Sequence, residues 1–150
     1  MSLFRPQLWR IPTTGEAERR RLPELTATLE TRLKHIARRY PQAVFASSLA
    51  VEDMIITDAI CRLKLPLRII TLDTGKLNPE TAALITAVNV RYQTELEVFH
   101  PDPESARQFE QEFGATAMYD SVELRRRCCH IRKVEPLNRA LKNAPAWLTG

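Results

Sequence analysis

The sequence predicts an α/β protein with one parallel sheet covered by helices. Three observations carry this. Short apolar runs alternate with longer segments whose apolar residues recur every three or four positions. The short runs are apolar on both faces, as strands sandwiched between helices must be. Helix-start residues open helical segments: Asn78 before Pro79, and Ser121 before a charged run.

The elements follow in order. Arg5–Arg21 carries prolines, Gly15 and charge and reads as a loose lead-in, so residues 1–21 are set apart from one domain at 22–150. Leu22, Leu25, Leu29, Leu33, Ile36 and Tyr40 mark an amphipathic helix that Pro41 stops. Ala43–Ala46 is the first strand, and a helix from about Val51 to Lys64 follows it. LPLRIITLDTG contains the second strand and ends at Gly75. NPETAALITAVNVRY is a third helix, capped by Asn78 with Pro79 at its first position. ELEVFHP is the next strand, PESARQFEQEF the next helix, and Ser121 caps a helix through SVELRRRCCHIRK. After VEPLNRALKN, AWLTG begins a further strand.

Composition narrows the class. The chain has 150 residues, 44% of them hydrophobic and 27% charged, which suits one domain with a real core. No apolar run approaches the roughly 20 residues that cross a bilayer, and Met1–Arg20 lacks the apolar segment of a signal peptide. Three cysteines make no disulfide framework, so a reducing cytoplasm is expected. A net charge of +4 suits an anionic ligand, whereas nucleic-acid binding would want a broader basic face and more aromatics.

Ligands on parallel sheets sit where strands end and helices begin. Two such corners stand out, ASSLAVED at Ala46–Asp53 and LDTGKLNPET at Leu72–Thr81. The four glycines, Gly15, Gly75, Gly114 and Gly150, are too scattered for either common phosphate-binding fingerprint. Ser47 and Ser48 can hold an oxyanion with their hydroxyls and free backbone N–H groups, or simply cap the helix. Glu52 and Asp53 suit the positive helix end but would repel an anion. Asp73 is either part of a site or a turn-former beside Gly75.

The stretch RRRCCHIRKVEPLN raises the sharpest question. Cys128 and Cys129 lie among Arg125, Arg126, Arg127, Arg132 and Lys133. Adjacent helical residues point about 100° apart, so both thiols can reach one object only near a helix end. They are either two small buried hydrophobes or, given the surrounding cations, thiolates suited to an anionic iron–sulfur cluster. Cys61 sits in an apolar helical run and reads as inert. His35, His100 and His130 read as packing or surface residues.

Taken together, SSLAVEDM, TLDTGKLNPET, YDSVELRRRCCHIRKVEPLNRAL and AWLTG resemble the sulfonucleotide reductases, and more closely the assimilatory adenylyl sulfate reductases. The likeness runs from Ser47 to Gly150. It implies a Rossmann-like adenine nucleotide alpha hydrolase fold with a pyrophosphate-type loop. It further implies reduction of adenylyl sulfate to sulfite and AMP with electrons from a thioredoxin or glutathione-type donor, and leaves room for a homo-oligomer. By the same resemblance Cys128 and Cys129 ligate a [4Fe–4S] cluster that a later CxxC pair completes. Ser47 and Ser48 lie on the phosphate-facing loop, and Leu72 and Gly75 beside the adenosine. Lys133 lies between cluster and phosphosulfate, and Gly150 opens the next substrate loop.

Three positions depart from the family pattern. Ala50 stands where glycine is common, which is tolerable if its φ stays negative, and Lys76 and Asn78 stand where arginine and histidine are common. In the family an Arg-containing loop, the CxxC pair and the C-terminal nucleophilic cysteine follow the glycine matching Gly150. The expectation is therefore a C-terminally truncated chain with an incomplete fold, no catalytic cysteine of its own and no retained cluster. The alternative is a short relative that only binds an adenine nucleotide or serves as a partner subunit.

Overall fold

A computed structural model describes residues 13–150. Residues 1–12 of the expected lead-in lie outside that range. The order is α1 (Glu16–Arg39), β1 (Val44–Ala46), α2 (Val51–Arg62), β2 (Arg68–Leu72), α3 (Pro79–Tyr92), β3 (Glu97–Phe99), α4 (Pro103–Phe113), α5 (Val122–Cys129), α6 (Glu135–Leu141) and β4 (Trp147–Leu148). A 3₁₀ turn covers Ala117–Tyr119, and a π-helical turn at His130–Val134 joins α5 to α6.

The chain divides into two compact units, one ending at Arg32 and one spanning Leu33–Gly150. In the first, α1 starts at Glu16, six residues before the leucine periodicity predicts. The physical reason is local: Glu16–Arg21 are good helix formers, and Glu16 pairs with Arg20 one turn on at 2.5 Å. Leu22 and Leu25 remain 60% and 51% exposed. The apolar stripe expected from Leu22 to Tyr40 is therefore buried only farther along, at Leu33 and Ala37 in the second unit.

The second unit holds a four-stranded, all-parallel sheet in the order β3-β2-β1-β4. Val44, Phe45 and Ile70 are fully buried, as the two-sided apolar pattern predicts. Val44, Ile70 and Ala140 form a core cluster with Phe99, Leu137 and Leu141 against it, so α6 lies on the two central strands and the end of β3. The predicted caps form: Asn78 Oδ1 accepts from the Thr81 N–H at 2.7 Å and Ser121 Oγ from the Leu124 N–H at 3.1 Å. At α2 no side chain caps the helix.

Two features of this unit position the site. The chain builds β1, β2 and β3 outward in one direction and then crosses back to lay β4 on the other side of β1. The crevice beyond the carboxyl ends of β1 and β4 is thus the point where strand order reverses, the ordinary ligand position on such a sheet. The second feature is the π turn. Pro136 has no N–H for the carbonyl four residues back, and its ring would clash there. The helix widens instead, and the Glu135 N–H reaches back five residues to the His130 carbonyl.

Candidate functional site

An open cavity of about 270 Å³ lies at the carboxyl ends of β1 and β2. Ala46, Ser47 and Ser48 line it from the first corner, Leu72, Thr74 and Leu77 from the second, and Lys133 and Leu137 from the π turn and α6. The fold therefore brings Ser47, Ser48, Leu72 and Lys133 together from three separate stretches of sequence. Gly75 and Gly150 stand beside this wall rather than in it.

The first corner is bonded mostly to itself. The Ser47 N–H donates to the Ile70 carbonyl, the Leu49 N–H to Ser47 Oγ, and the Ala50 N–H to Ser48 Oγ at 3.3 Å. The Ser48 N–H and hydroxyl both donate to Asp53 Oδ2 at 2.6 Å. Sequence reasoning gave Asp53 to the helix dipole and left the serine N–H groups free. The structure buries Asp53 to 5% exposure and commits those donors to the Ile70 carbonyl of β2 and to Asp53 itself. The left-handed residue of the turn is Leu49, with φ 64°, while Ala50 keeps φ at −70° and meets the condition set for it. Gly150, at the end of β4, lies against Asp53, and a Cβ there would run into the Asp53 carboxylate.

The second corner is held by a cation instead. Arg132, 7% exposed, donates from Nη1 to the Thr74 carbonyl at 2.8 Å and from Nη2 to Glu110 Oε1 at 2.7 Å. Lys76 Nζ meets the same Glu110 oxygen at 2.7 Å and so is not turned to the cavity as a free charge. The Lys76 hydrogen bond is the main cause holding the Glu110 carboxyl below its ordinary range, with the charges of Lys76 and Arg132 adding to it. Gly75 has φ 68°, and a Cβ on it would stand 3.2 Å from Arg132 Nη1. Asp73 is a turn-former after all, its Oδ1 accepting from the Gly75 N–H at 2.9 Å.

Of the five cations around the cysteines, three have partners. Arg132 is the clamp just described, Arg127 meets Glu112 and lies over Phe113, and Arg125 donates to the Met118 carbonyl. Among the described residues Lys133 and Arg126 make no ion pair, and only Lys133 lines the cavity. Sequence spacing could not separate these roles, because burial of Arg132 depends on α4 and the β2–α3 loop arriving beside it. Its one legible hint was Pro136, which predicts a break in the helix just where Arg132 sits.

All three cysteines are free thiols, and none lines the cavity. Cys128 is buried with Phe109 and Ala117, with Met118, Leu124 and Ile131 packed around them, and Cys129 beside it is half-buried. Two adjacent thiols where α5 runs into the π turn are the right donor chemistry for an iron–sulfur cluster but only half of its protein ligands. Among the described residues no three His, Cys, Asp or Glu side chains converge as a metal site. Burial, and then the nearby Asp58 charge, push the Cys61 thiol up, which fits an inert residue. No helix among the described residues is long and apolar enough to cross a membrane.

Similarity to known proteins agrees with this geometry. The chain is 48% identical over 150 residues to an adenosine 5'-phosphosulfate reductase of Neisseria meningitidis serogroup B, covering 99% of this chain and 61% of that protein. It is 49% identical over 131 residues to the enzyme of the same name from Burkholderia cepacia, covering 85% of this chain and 52% of the other. The chain thus spans about three-fifths of the length of the first of these curated relatives and half of the second. Among solved structures, phosphoadenylyl-sulfate (PAPS) reductase from Candida auris in a phosphate complex matches with a TM-score of 0.69 over 92% of this chain and 68% of that one, at 24% identity, a likeness of fold. Residues 42–150 match the phosphoadenosine phosphosulfate reductase domain, and the chain belongs to that family.

Proposed function

We propose that this chain carries the nucleotide-binding part of an adenylyl sulfate reductase, which yields sulfite and AMP. The observation that carries this reading is the convergence of Ser47, Ser48, Leu72 and Lys133 on one cavity at the carboxyl ends of the two central strands, β1 and β2. The mostly apolar wall of Ala46, Ile70, Leu72, Leu77 and Leu137 suits a nucleoside, and the free ammonium of Lys133 suits its acidic group.

In the proposed reaction a cysteine thiolate attacks the sulfur of bound adenylyl sulfate. The bond between that sulfur and the oxygen bridging to phosphorus breaks, AMP leaves with the electron pair, and the cysteine becomes an S-sulfonate. A thioredoxin-type dithiol, or a glutathione-type monothiol, then attacks the cysteine sulfur, sulfite departs, and the dithiol's second thiol, or a second monothiol molecule, resolves the mixed disulfide. Lys133 offsets negative charge growing on the phosphate side. None of the three cysteines lines the cavity, so the attacking thiol is assigned to a segment other than these residues. Cys128 and Cys129 would hold two corners of a [4Fe–4S] cluster, which when bound supplies a fixed anionic centre near Lys133.

Titration calorimetry with AMP and adenylyl sulfate tests the reading. The chain is expected to bind both and, with excess dithiol, to release no sulfite. Lys133→Ala should weaken adenylyl sulfate roughly ten- to hundred-fold, as loss of a bond to a charged group does, while Arg126→Ala should change it by less than about two-fold. Equal small losses at the two positions, or no nucleotide binding, would overturn it.

A further inference from the structure

Arg132 is a charge the proposed chemistry does not use, yet it is buried as deeply as a core residue. A guanidinium is withdrawn from water only when its donors are well matched. Here one nitrogen holds the Thr74 carbonyl at the tip of the second corner, and another holds Glu110 on α4, which in turn holds Lys76. Its own backbone lies in the π turn, three residues after Cys129 and one before Lys133. Two further facts tie these segments into one unit. The carbonyl that Arg132 holds belongs to the residue before Gly75, whose left-handed φ and missing Cβ leave room for the guanidinium. And the wider π turn sets the azimuth of residues 132 and 133, so one goes inward to the loop while the next lines the cavity.

We propose that Arg132 is a positioning residue. It locks the cysteine-bearing helix to the β2–α3 loop and thereby aims Lys133 into the cavity. This rests on the proposed nucleotide site for its functional consequence, but the mechanical coupling does not. With the fork intact, Lys133 and Thr74 keep a fixed spacing across the cavity. With the fork lost, the π turn has no long-range anchor to the loop, and the ammonium samples positions away from the anion. Lysine at 132 keeps the charge but cannot bond two acceptors in one plane.

Two measurements test it on the whole chain. In amide NMR spectra, Gly75→Ala is expected to shift residues 72–76 and also 130–134. In an Arg132→Lys background the same change should still move 72–76 but leave 130–134 in place. A Gly75→Ala spectrum that moves only its own loop overturns the coupling. In calorimetry, Arg132→Lys should weaken adenylyl sulfate about ten-fold, yet have less than about a two-fold effect once Lys133→Ala is present, because one residue acts through the other. Glu110→Gln, half-exposed and expected to fold, should give a smaller loss in the same direction. Additive losses in the double variant overturn the aiming role. Wild-type chain that shows the NMR coupling but binds no nucleotide would sink the proposed function and leave the coupling standing.

Discussion

The two corners flanking the cavity are built on opposite charges. The first is pinned by a buried acid: Asp53, from the helix that follows, reaches back and takes both donors of Ser48. The second is pinned by a buried base: Arg132, from a helix 58 residues away in sequence, reaches in and gives two donors to Thr74 and Glu110. The acid acts locally, five residues from its partner, and closes a loop on itself. The base acts at long range and ties three segments together. A local pin fixes the shape of one loop, whereas a distant one also fixes where that loop stands against its neighbours. The distant pin bears on the site's charge, because Lys133, which lines the cavity and makes no ion pair among the described residues, is the residue next to Arg132.

Removing each pin is the most severe way to break this contrast. Arg132→Ala should cost about 2–3 kcal/mol, below the usual penalty for breaking a buried ion pair because Glu110 keeps Lys76. For a chain of this size that lowers the melting temperature by roughly 4–12 °C. Asp53→Ala should cost about 2 kcal/mol through its two lost hydrogen bonds, and Asp53→Asn, which keeps an acceptor, about half as much. Thermal and urea unfolding measure both. A larger loss at Asp53 than at Arg132 would show that the local pin dominates.

Glycine substitutions sharpen the contrast on a smaller scale. Gly75 and Gly114 both have positive φ, but only Gly75 has a neighbour in reach of a Cβ. Gly75→Ala should cost about 1–2 kcal/mol for the left-handed backbone alone. In wild type the guanidinium contact adds to that, and the excess should vanish in an Arg132→Lys background. Gly114, at φ 96° and ψ 157°, stands in backbone space that only glycine occupies readily, so Gly114→Ala carries a backbone cost of its own, about 1–3 kcal/mol, that should be the same in both backgrounds. Equal Gly75→Ala losses in the two backgrounds would mean that the guanidinium yields freely.

Acidification gives the mildest probe. The Glu110 carboxyl is held below its ordinary range in the folded chain, chiefly by the Lys76 hydrogen bond. A lowered folded value contributes stability above the unfolded value of about 4.3, and that contribution disappears as pH falls through the lower folded value. Glu110 is partly exposed, so the effect is small. Melting curves of wild type and Glu110→Gln should differ at pH 7 and converge between the unfolded value and more acid pH. A gap that persists unchanged at pH 3 would remove Glu110 from the account of the second corner.

Much of the fold was legible because local rules agreed with it. Asn78 and Pro79, Ser121, and the two-sided apolar runs each specify their element within a few residues, and the structure forms the helices and strands they predict. The helix start at Glu16 was missed because prolines and charge suggested a loop where favourable i,i+4 pairing carries a helix. Within the site, the strand-end position of Ser47, Ser48 and Leu72 followed from the α/β pattern alone. The partners of Asp53 and Arg132 did not. Before the chain folds, a charged side chain beside an anion-binding motif reads as repulsive or solvated, since its burial depends on what packs over it.

By itself the sequence determined the alternation of strands and helices, hence a parallel sheet with its loops at one end. It also determined which residue types stand at those loops, because periodicity, caps and proline act over one or two turns. Only the tertiary structure decided that Gly75 accommodates an arginine rather than lining the cavity. It alone decided that Lys133, out of five neighbouring cations, lines the cavity as the free one. Those outcomes depend on contacts between segments distant in sequence, where burial turns an ordinary surface charge into a structural pin.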